Sequence, residues 1–482
     1  MLLSLILILI NFQKSKLQPC IFPSGSTLAN IDVSGLDQQQ AILKIKSVYD
    51  QPIQIQLGDA TFSLTNEQMG VAIDYEEMVS ALDCGFDDPF STFWAYIWNN
   101  TKKFPINAEL IYSINEETLA STINEQIVPF IHVEPTSSQP IPGTTRFEPG
   151  KPGIDFNPDD LINQIKSEIN QINKNIIQIQ LTQIAAPGPT IDQITEQVRS
   201  IILDSGFGDV VEIYAERMSD HQKIQILNWY GKEKEPGVAF TAASTMKIPI
   251  MLSTYWREDL PLSEMMQGWM KYMIVHSKND PANRLMEQID PVRGPLQVTS
   301  DMQSLGLENS FIAGYFYPEA PLLNIYKTPA NQRSDAFVDP DIYNQTTPGD
   351  IGHLLSMLYD CSKDSSAELI IQSQGKITQE ECNLIIETLA GNKMGALIEA
   401  GLPEGIITAH KHGWSQENDG LVHTFSDVGI VFGPEEDFVL AIFTYSPNQL
   451  LFDVANPLIA RISQTIYNGF NPHHQVAWPF EE

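Results

Sequence analysis

The chain is poor in positive charge. Its 482 residues contain 28 lysines and arginines against 60 aspartates and glutamates, which gives a formal net charge of -32. Proteins that bind nucleic acid neutralise phosphates with a basic surface, and adhesion to an anionic membrane needs the same residues. The composition therefore argues against nucleic acid as a partner and against adhesion to an anionic membrane. The alternative role for the excess acid is a solvated surface that keeps the protein soluble.

Cysteine and histidine are also scarce, with four and nine residues. No two cysteines have the Cys-x-x-Cys spacing of a zinc site, so we expect no metal site. Cys361 and Cys382 both lie in one predicted helical hairpin, where they could form a disulfide if the protein is exported. Two separate thiols are the alternative.

No apolar run is long enough to span a bilayer comfortably. The longest candidate is MLLSLILILINF at residues 1–12, followed by Lys14 and Lys16. Its length is typical of the apolar part of an export signal. We therefore predict that residues 1–20 are a signal or membrane anchor, and that the protein is extracellular or held at the cell surface. A buried N-terminal strand or helix is the alternative.

What the chain does contain is two patterned halves joined by a cluster of helix and strand breakers, AAPGPT at residues 185–190. The first half, residues 21–184, repeats a short pattern in which a glycine turn, an Ile-Asp strand end and an amphipathic helix follow one another. The pattern occurs after Gly70 and again after Gly153. Alternating apolar and polar residues at 53–57 and 177–181 predict strands between these units. We therefore expect small α+β repeats.

The most informative stretch of the second half, residues 191–475, is Ser244-Thr-Met-Lys247. A serine and a lysine three residues apart meet on one face of a helix. Serine needs a neighbour that accepts its proton before it can act as a nucleophile, and a buried lysine can do so because desolvation lowers its pKa. The spacing alone is common in proteins. It therefore indicates a catalytic site only if further motifs accompany it.

Two further elements follow in order. Ser277-Lys278-Asn279 lies where an apolar helix runs into a polar loop, and Lys411-His412-Gly413-Trp414 lies on a predicted edge strand. Read alone, the first is usually a turn and the second an ordinary hairpin rim. Together with Ser244 and Lys247, they resemble the class A branch of the serine β-lactamase and penicillin-binding family, whose motifs are Ser-x-x-Lys, Ser-x-Asn and Lys-Thr-Gly.

This resemblance implies an α+β fold of the β-lactamase/transpeptidase type. It would have an antiparallel five-stranded sheet with flanking helices, and an all-helical subdomain at about residues 250–395. It also implies that Ser277 relays a proton to the leaving nitrogen, that Asn279 binds the substrate amide, and that Lys411 attracts a substrate carboxylate. Gly413 leaves room for the substrate, and the backbone N–H near Trp414 completes an oxyanion hole with that of Ser244. No cofactor is required.

Three departures from the family pattern bear on function. Lys278 replaces the usual aspartate of the second motif. Because that aspartate is mostly structural in the family, the change affects the stability of the loop more than the chemistry. His412 replaces the usual Thr or Ser, so a hydroxyl that helps to hold the substrate carboxylate is missing. Glu319, the candidate base for deacylation, stands one residue too far from Leu323-Asn324 to match the family's Glu-x-x-Leu-Asn pattern. Without such a base, an acyl-enzyme would persist.

The first half resembles the peptidoglycan-binding-like repeats of VanW-type cell-surface proteins, through Ile31-Asp-Val-Ser-Gly35, the Gly-x-x-Ile-Asp turn and the later Pro-Gly-Lys-x-Gly turn. A spacer that only holds the second half away from the membrane is the alternative for this half.

Three functions remain open for the whole chain. It could be a β-lactamase-type enzyme acting on β-lactams or related amides, or a cell-wall DD-peptidase or esterase on the same fold. It could also be a non-catalytic surface protein that binds peptidoglycan and carries a vestigial site. The predicted partners are accordingly peptidoglycan or a β-lactam.

Overall fold

The computed structural model describes residues 10, 12–13, 20–58, 60–82, 93, 97, 104–417 and 419–479. The predicted signal or anchor segment and Cys84 fall almost entirely outside these residues. Among the described helices, none combines the length and the hydropathy that a membrane span requires. The chain divides into two compact units, one formed by Met1–Pro135 and Pro152–Ala185 and the other by Thr136–Lys151 and Ala186–Glu482.

The first unit contains five of the described α-helices and ten of the described strands. Its helices are α1 (Gln38–Tyr49), α2 (Tyr75–Ser80), α3 (Glu116–Gln126), α4 (Val128–Ile131) and α5 (Pro158–Ile169). Its strands are β1 (Thr27–Leu28), β2 (Ile31–Asp32), β3 (Ile53–Leu57), β4 (Ala60–Leu64), β5 (Val71–Ile73), β6 (Asn107–Ala108), β7 (Tyr112–Ile114), β10 (Gly153–Asp155), β11 (Ile177–Gln178) and β12 (Thr182–Ile184). Strands are numbered in chain order, and β8 and β9 belong to the second unit.

The two alternating segments of this unit pair directly. β11 runs parallel to β3, with Ile177 opposite Ile55, and β4 pairs with β3 on the other side. Each glycine turn is followed by a strand and then a helix, as the pattern predicts. β5 runs into α2, which is capped by Asp74, and β10 is followed by α5, which is capped by Asn157. The unit is therefore a mixed α+β structure. Its resemblance to VanW-type repeats stays a prediction.

The second unit is built on one antiparallel sheet. Its helices are α6 (Ile191–Asp204), α7 (Lys247–Tyr255), α8 (Glu264–Val275), α9 (Asn279–Ile289), α10 (Gly294–Ser304), α11 (Pro348–Lys363), α12 (Glu368–Gln372), α13 (Gln379–Ala390) and α14 (Phe452–Phe470). Its strands are β8 (Gln139–Pro140), β9 (Phe147–Glu148), β13 (Val210–Arg217), β14 (Lys223–Trp229), β15 (Lys232–Lys234), β16 (Phe240–Thr241), β17 (Phe311–Ile312), β18 (Asn344–Thr346), β19 (Ile407–Gly413), β20 (Thr424–Phe432) and β21 (Phe438–Tyr445).

Both faces of this sheet are buried. Successive residues of β21 alternate between two hydrophobic clusters, with Val439 and Ala441 in one and Leu440 and Ile442 in the other. α6 and α14 cover one face, and α11 packs against the other. A strand buried on both faces contains an unbroken apolar run, as Phe438–Phe443 does.

The predicted α+β fold is confirmed, with two corrections. The sheet has six strands rather than five, in the order β15-β14-β13-β21-β20-β19, because the short β15 pairs with the outer edge of β14. The subdomain at 250–395 is not all-helical, because β17 and β18 form a small sheet with β16. Buried loop backbone needs hydrogen-bond partners, and this pairing supplies them where no helix forms.

Two further features tie the second unit together. Cys361 of α11 and Cys382 of α13 form a disulfide between two fully buried positions. Residues 136–151 belong to this unit although they precede residues 185–190, where the sequence suggests the boundary. The reason lies in contacts with α14: Thr145 Oγ1 donates to Gln464 Oε1 at 2.9 Å, and Asn468 Nδ2 donates to the Thr145 carbonyl at 2.9 Å.

Replacing Gly401 by alanine should destabilise the second unit. A Cβ at this position would lie 2.1 Å from the Ala460 carbonyl oxygen of α14, which cannot move without disturbing the helix. We expect G401A to lower the free energy of unfolding by about 1–3 kcal/mol in urea titrations of the full chain. The matched control is G208A, because Gly208 has no atom within 4 Å of the added carbon. Equal stability of the two variants would contradict this packing.

Candidate active site

Ser244 lies on a short 3-10 helix, Ala243–Met246, that runs directly into α7 at Lys247. The preceding Ala243 has a φ of 46°, a left-handed conformation that is unfavourable for a residue with a side chain. Ser244 is half-buried, whereas the residues around it, Ala243 and Thr245, are buried. The local backbone therefore holds the serine hydroxyl at an accessible point of an otherwise buried segment.

The Lys247 side chain is fully buried and is surrounded by oxygen atoms. Its Nζ donates to Ser244 Oγ at 2.9 Å, to the Ser277 carbonyl at 2.7 Å and to Asn279 Oδ1 at 2.9 Å. None of these acceptors carries a charge. The ring of Phe316 lies on a further side, with its centroid 5.5 Å from Nζ.

This environment lowers the pKa of Lys247 to about 6, first because burial penalises the ammonium and second because the charge of Lys411 repels it. A neutral amine therefore faces the Ser244 hydroxyl at pH 7. The neutral amine has two N–H groups, which serve the Ser277 carbonyl and Asn279 Oδ1, so its lone pair is free to accept the Ser244 hydroxyl proton when Ser244 attacks an electrophile.

Ser277 joins the same network from the loop between α8 and α9. Its φ is 51°, and its Oγ donates to Ser244 Oγ at 3.1 Å and lies 3.4 Å from Lys247 Nζ. The three side chains thus form a closed path along which a proton can pass. Asn279, the first residue of α9, uses its Oδ1 to hold Lys247.

The edge strand β19 forms the next wall. Lys411 is fully buried, its Nζ donates to the His412 carbonyl at 3.0 Å, and burial lowers its pKa to about 7. A Cβ on Gly413 would lie 2.8 Å from both the Ala242 carbonyl oxygen and Ser426 Oγ. Only glycine lets this strand approach the 3-10 helix that carries Ser244.

His412 and Trp414 stack on each other, with ring centroids 4.7 Å apart. His412 Nδ1 lies 3.4 Å from Asn392 Nδ2, and burial together with the charge of Lys411 lowers the pKa of His412 to about 3. The imidazole is therefore neutral at pH 7. Of the sequence-predicted residues, Ser244, Lys247, Ser277 and Asn279 form one hydrogen-bonded group. Lys411, His412 and Gly413 lie at the end of β19, and Trp414 follows that strand.

Residues 266–470 match the model of the beta-lactamase enzyme family. The matched segment contains Ser277, Asn279 and Lys411 and begins after Lys247. No curated protein matches the chain.

Among solved structures, the chain is similar to PBP-A, with 18% identity and a TM-score of 0.41 over 59% of this chain and 98% of that one. It is also similar to a class A β-lactamase from Bacteroides cellulosilyticus, with 18% identity, a TM-score of 0.42 and coverage of 59% and 99%. An ancestral class A β-lactamase gives 18% identity, a TM-score of 0.42 and coverage of 58% and 100%.

The second unit contains a buried ion pair that the sequence does not reveal. His410 Nδ1 lies 2.9 Å from Asp427 Oδ2, and both side chains are fully buried between β19 and β20. Burial opposes the charge on His410, but Asp427 outweighs it and raises the pKa of His410. Asp427 also accepts from the Ile398 N–H at 3.2 Å. The pair therefore links β19 to β20 and, through the Ile398 N–H, to the segment that precedes residues 399–401.

The candidate deacylation base is not part of this network. Glu319 is exposed, and within the described ranges its side chain makes no hydrogen bond to Ser244, Lys247 or Ser277. Phe316, three residues before Glu319 in the same loop, places its ring against Lys247. Asn283 Oδ1 holds this loop by accepting from the Phe316 N–H at 2.8 Å. This loop therefore presents the Phe316 ring, and not the Glu319 carboxylate, to Lys247.

No group of three or more His, Cys, Asp and Glu side chains suited to a metal ion occurs in the part of the chain that the structure describes.

The reactivity of Ser244 should depend on pH through Lys247. Because the ammonium form cannot accept a proton, the rate of Ser244 modification by a fluorophosphonate probe should rise roughly tenfold per pH unit below the pKa of about 6 and level off above it. Stopped-flow labelling between pH 5 and 8 measures this. K376M, which removes an exposed lysine, is the control and should keep the profile. A flat profile would contradict the role of Lys247.

A second variant identifies the titrating group. Lys411 contributes a positive charge that lowers the pKa of Lys247, so K411Q should move the rising limb to higher pH. If the limb disappeared in K411Q, it would report Lys411 instead.

Proposed function

We propose that the protein is a serine acyl-transfer enzyme of the class A β-lactamase type, which acts on a β-lactam or a related cell-wall amide through an acyl-enzyme at Ser244. The observation that carries the proposal is the group formed by Ser244, Lys247 and Ser277. Its amine is buried among uncharged acceptors, and both hydroxyls are within hydrogen-bond reach of each other.

The first half-reaction follows from these contacts. Lys247 takes the proton of Ser244 as Oγ attacks the carbonyl carbon, and the carbonyl oxygen becomes negative. The backbone N–H groups of Ser244 and Trp414 are the proposed oxyanion hole. As the carbon–nitrogen bond breaks, Ser277 donates its proton to the leaving nitrogen and recovers one from Lys247. The product is an ester of Ser244, with all protons accounted for.

We propose that the second half-reaction lacks an equivalent base among the described residues. Phe316 faces Lys247, and Glu319 is exposed, so no carboxylate of this loop is placed to activate water. We therefore propose a long-lived acyl-enzyme. This favours the second candidate, a penicillin-binding peptidase or esterase, over an efficient β-lactam hydrolase.

The cell surface is the proposed location. The disulfide between Cys361 and Cys382 supports it, because such bonds persist in oxidising compartments. In this proposal the first unit binds peptidoglycan or acts as a spacer, and a vestigial site remains the non-catalytic alternative.

Covalent labelling tests the proposal directly. A fluorescent penicillin should label the full-length protein, S244A should remain unlabelled, and K247M should be labelled about 10²–10⁴-fold more slowly because the base is lost. Gel fluorescence after timed quenching gives the rates. Labelling of S244A equal to that of the wild type would exclude Ser244 as the nucleophile. A wild type that reacts with the fluorophosphonate but not with penicillin would favour the esterase.

The fate of the acyl group can be altered at Phe316. F316E places a carboxylate beside Lys247 and should accelerate release of the penicilloyl group by at least about tenfold, measured as loss of label over time. F316Q is the matched control, since it has the same shape without the basic oxygen. E319Q should leave the release rate unchanged. Faster release in F316Q, or slower release in E319Q, would contradict this assignment.

The missing hydroxyl at position 412 should weaken carboxylate recognition. H412T should increase the acylation efficiency of benzylpenicillin by about tenfold relative to its methyl ester, because a hydrogen bond to a charged group is restored. H412V removes the imidazole without adding a hydroxyl and should not produce this gain. Equal gains in both variants would show that the imidazole only blocks access.

A further inference from the structure

A groove of about 790 Å³ lies between α8 and α13 in the second unit. Its volume falls within the range of small-molecule sites, and none of its lining residues belongs to the group bonded around Ser244. The floor is apolar and buried, with Leu262 and Met270 at its base and the half-buried Leu384 on the α13 side. Nothing in the reaction proposed for Ser244 uses this groove.

One of the buried residues that line the groove carries a polar group. Tyr255, at the end of α7, is only 6% exposed and lines the groove, and its hydroxyl makes no hydrogen bond within the described ranges. Burial raises the pKa of this phenol to about 12, with a further contribution from the carboxylates of Glu381 and Glu387. The hydroxyl therefore stays protonated at physiological pH. The Tyr255 ring is buried, but its hydroxyl oxygen is accessible to solvent and unbonded among the described residues, so it is available to a ligand in the groove.

The rim carries charges that are also unmatched. Glu380 and Glu387 are two turns apart on α13, and Lys271 lies on α8. None of the three makes an ion pair among the residues that the structure describes, whereas Lys166 and Arg284 elsewhere do.

The remaining polar side chains of the rim are already satisfied. Gln267 Nε2 donates to the Leu262 carbonyl at 2.7 Å, and Thr388 Oγ1 donates to the Leu384 carbonyl at 2.7 Å. The groups left to meet a ligand are thus two carboxylates, one ammonium and one phenol above an apolar floor. The carboxylates are in excess, so charge complementarity selects a cation.

We propose that this groove is a second ligand site, which binds an amphipathic cation whose apolar chain packs on Leu262, Met270 and Leu384 and whose ammonium group lies against the α13 rim at Glu387 and Glu380. The Tyr255 hydroxyl, which lines the same groove, accepts a hydrogen bond from this ammonium group. A small molecule with an alkyl chain and one primary amine is the minimal ligand of this class.

The test compares three probes that share an eight-carbon chain: n-octylammonium, octanoate and 1-octanol. Each is titrated below its micellar concentration into the full-length protein, and binding is followed by calorimetry and by saturation-transfer NMR. The S244A variant is titrated in parallel, so that binding at the reactive serine is separated from binding in the groove. This makes the result independent of whether Ser244 proves to be a nucleophile.

We expect n-octylammonium to bind at least about tenfold more tightly than octanoate or 1-octanol, with equal affinity in wild type and S244A. E387Q should weaken octylammonium binding about fivefold or more without affecting 1-octanol, and Y255F should weaken it by a smaller factor. E308Q removes an exposed carboxylate outside the groove and should change nothing.

Two results would overturn the proposal. Octanoate or octanol binding as tightly as octylammonium would show that the charge of the rim selects nothing. Octylammonium affinity that is unchanged in both E387Q and the groove-filling variant L384R would place the bound probe elsewhere. Because E387Q changes an exposed side chain, its effect is not confused with misfolding, which circular dichroism checks for L384R.

Discussion

The candidate site depends on one constraint, which is that an amine is buried without a carboxylate to balance it. Among the described residues, no acidic side chain forms an ion pair with Lys247. Its hydrogen bonds go instead to a carbonyl, an amide oxygen and a hydroxyl. A carboxylate in any of these places would stabilise the ammonium form and remove the base. The surroundings of Lys247 therefore determine whether Ser244 can act as a nucleophile, although they take no part in bond breaking.

The same constraint extends to the strand beside the site. Lys411 is a second buried amine nearby. Its charge disfavours protonation of Lys247, and both lysines disfavour protonation of His412. The carboxylate of Asp427 is paired with His410 and with backbone N–H groups on the face of β19 opposite Lys411. Alternation along a strand separates the two chemistries, since residues 410 and 411 point to opposite faces. The sheet can thus hold an ion pair and a weakly charged wall one residue apart.

The sequence predicts the parts of the site that depend on local spacing. The relation of Ser244 to Lys247 follows from the period of one helix turn, and the order of the three motifs indicates the fold that contains them. The ion pair of His410 with Asp427 requires the register of two strands, which spacing does not specify. The position of Phe316 beside Lys247 depends on the path of a loop, which the sequence pattern does not give. The position of Tyr255 in the groove depends on how α7 packs against two helices that are distant in the sequence. The sixth strand was missed because Lys232–Lys234 is short and charged, so only its pairing with β14 identifies it.

The assignment of residues 136–151 to the second unit has a consequence for how the protein can be divided. The chain leaves the first unit, contributes a hairpin and Phe147 to the second, returns, and leaves again. Neither unit is therefore a continuous stretch that recombination could move as a single module. A gene fragment that starts at residue 191 would encode a sheet whose last helix lacks the partners of Gln464 and Asn468. The second unit is therefore complete only when residues 136–151 are present in the same chain.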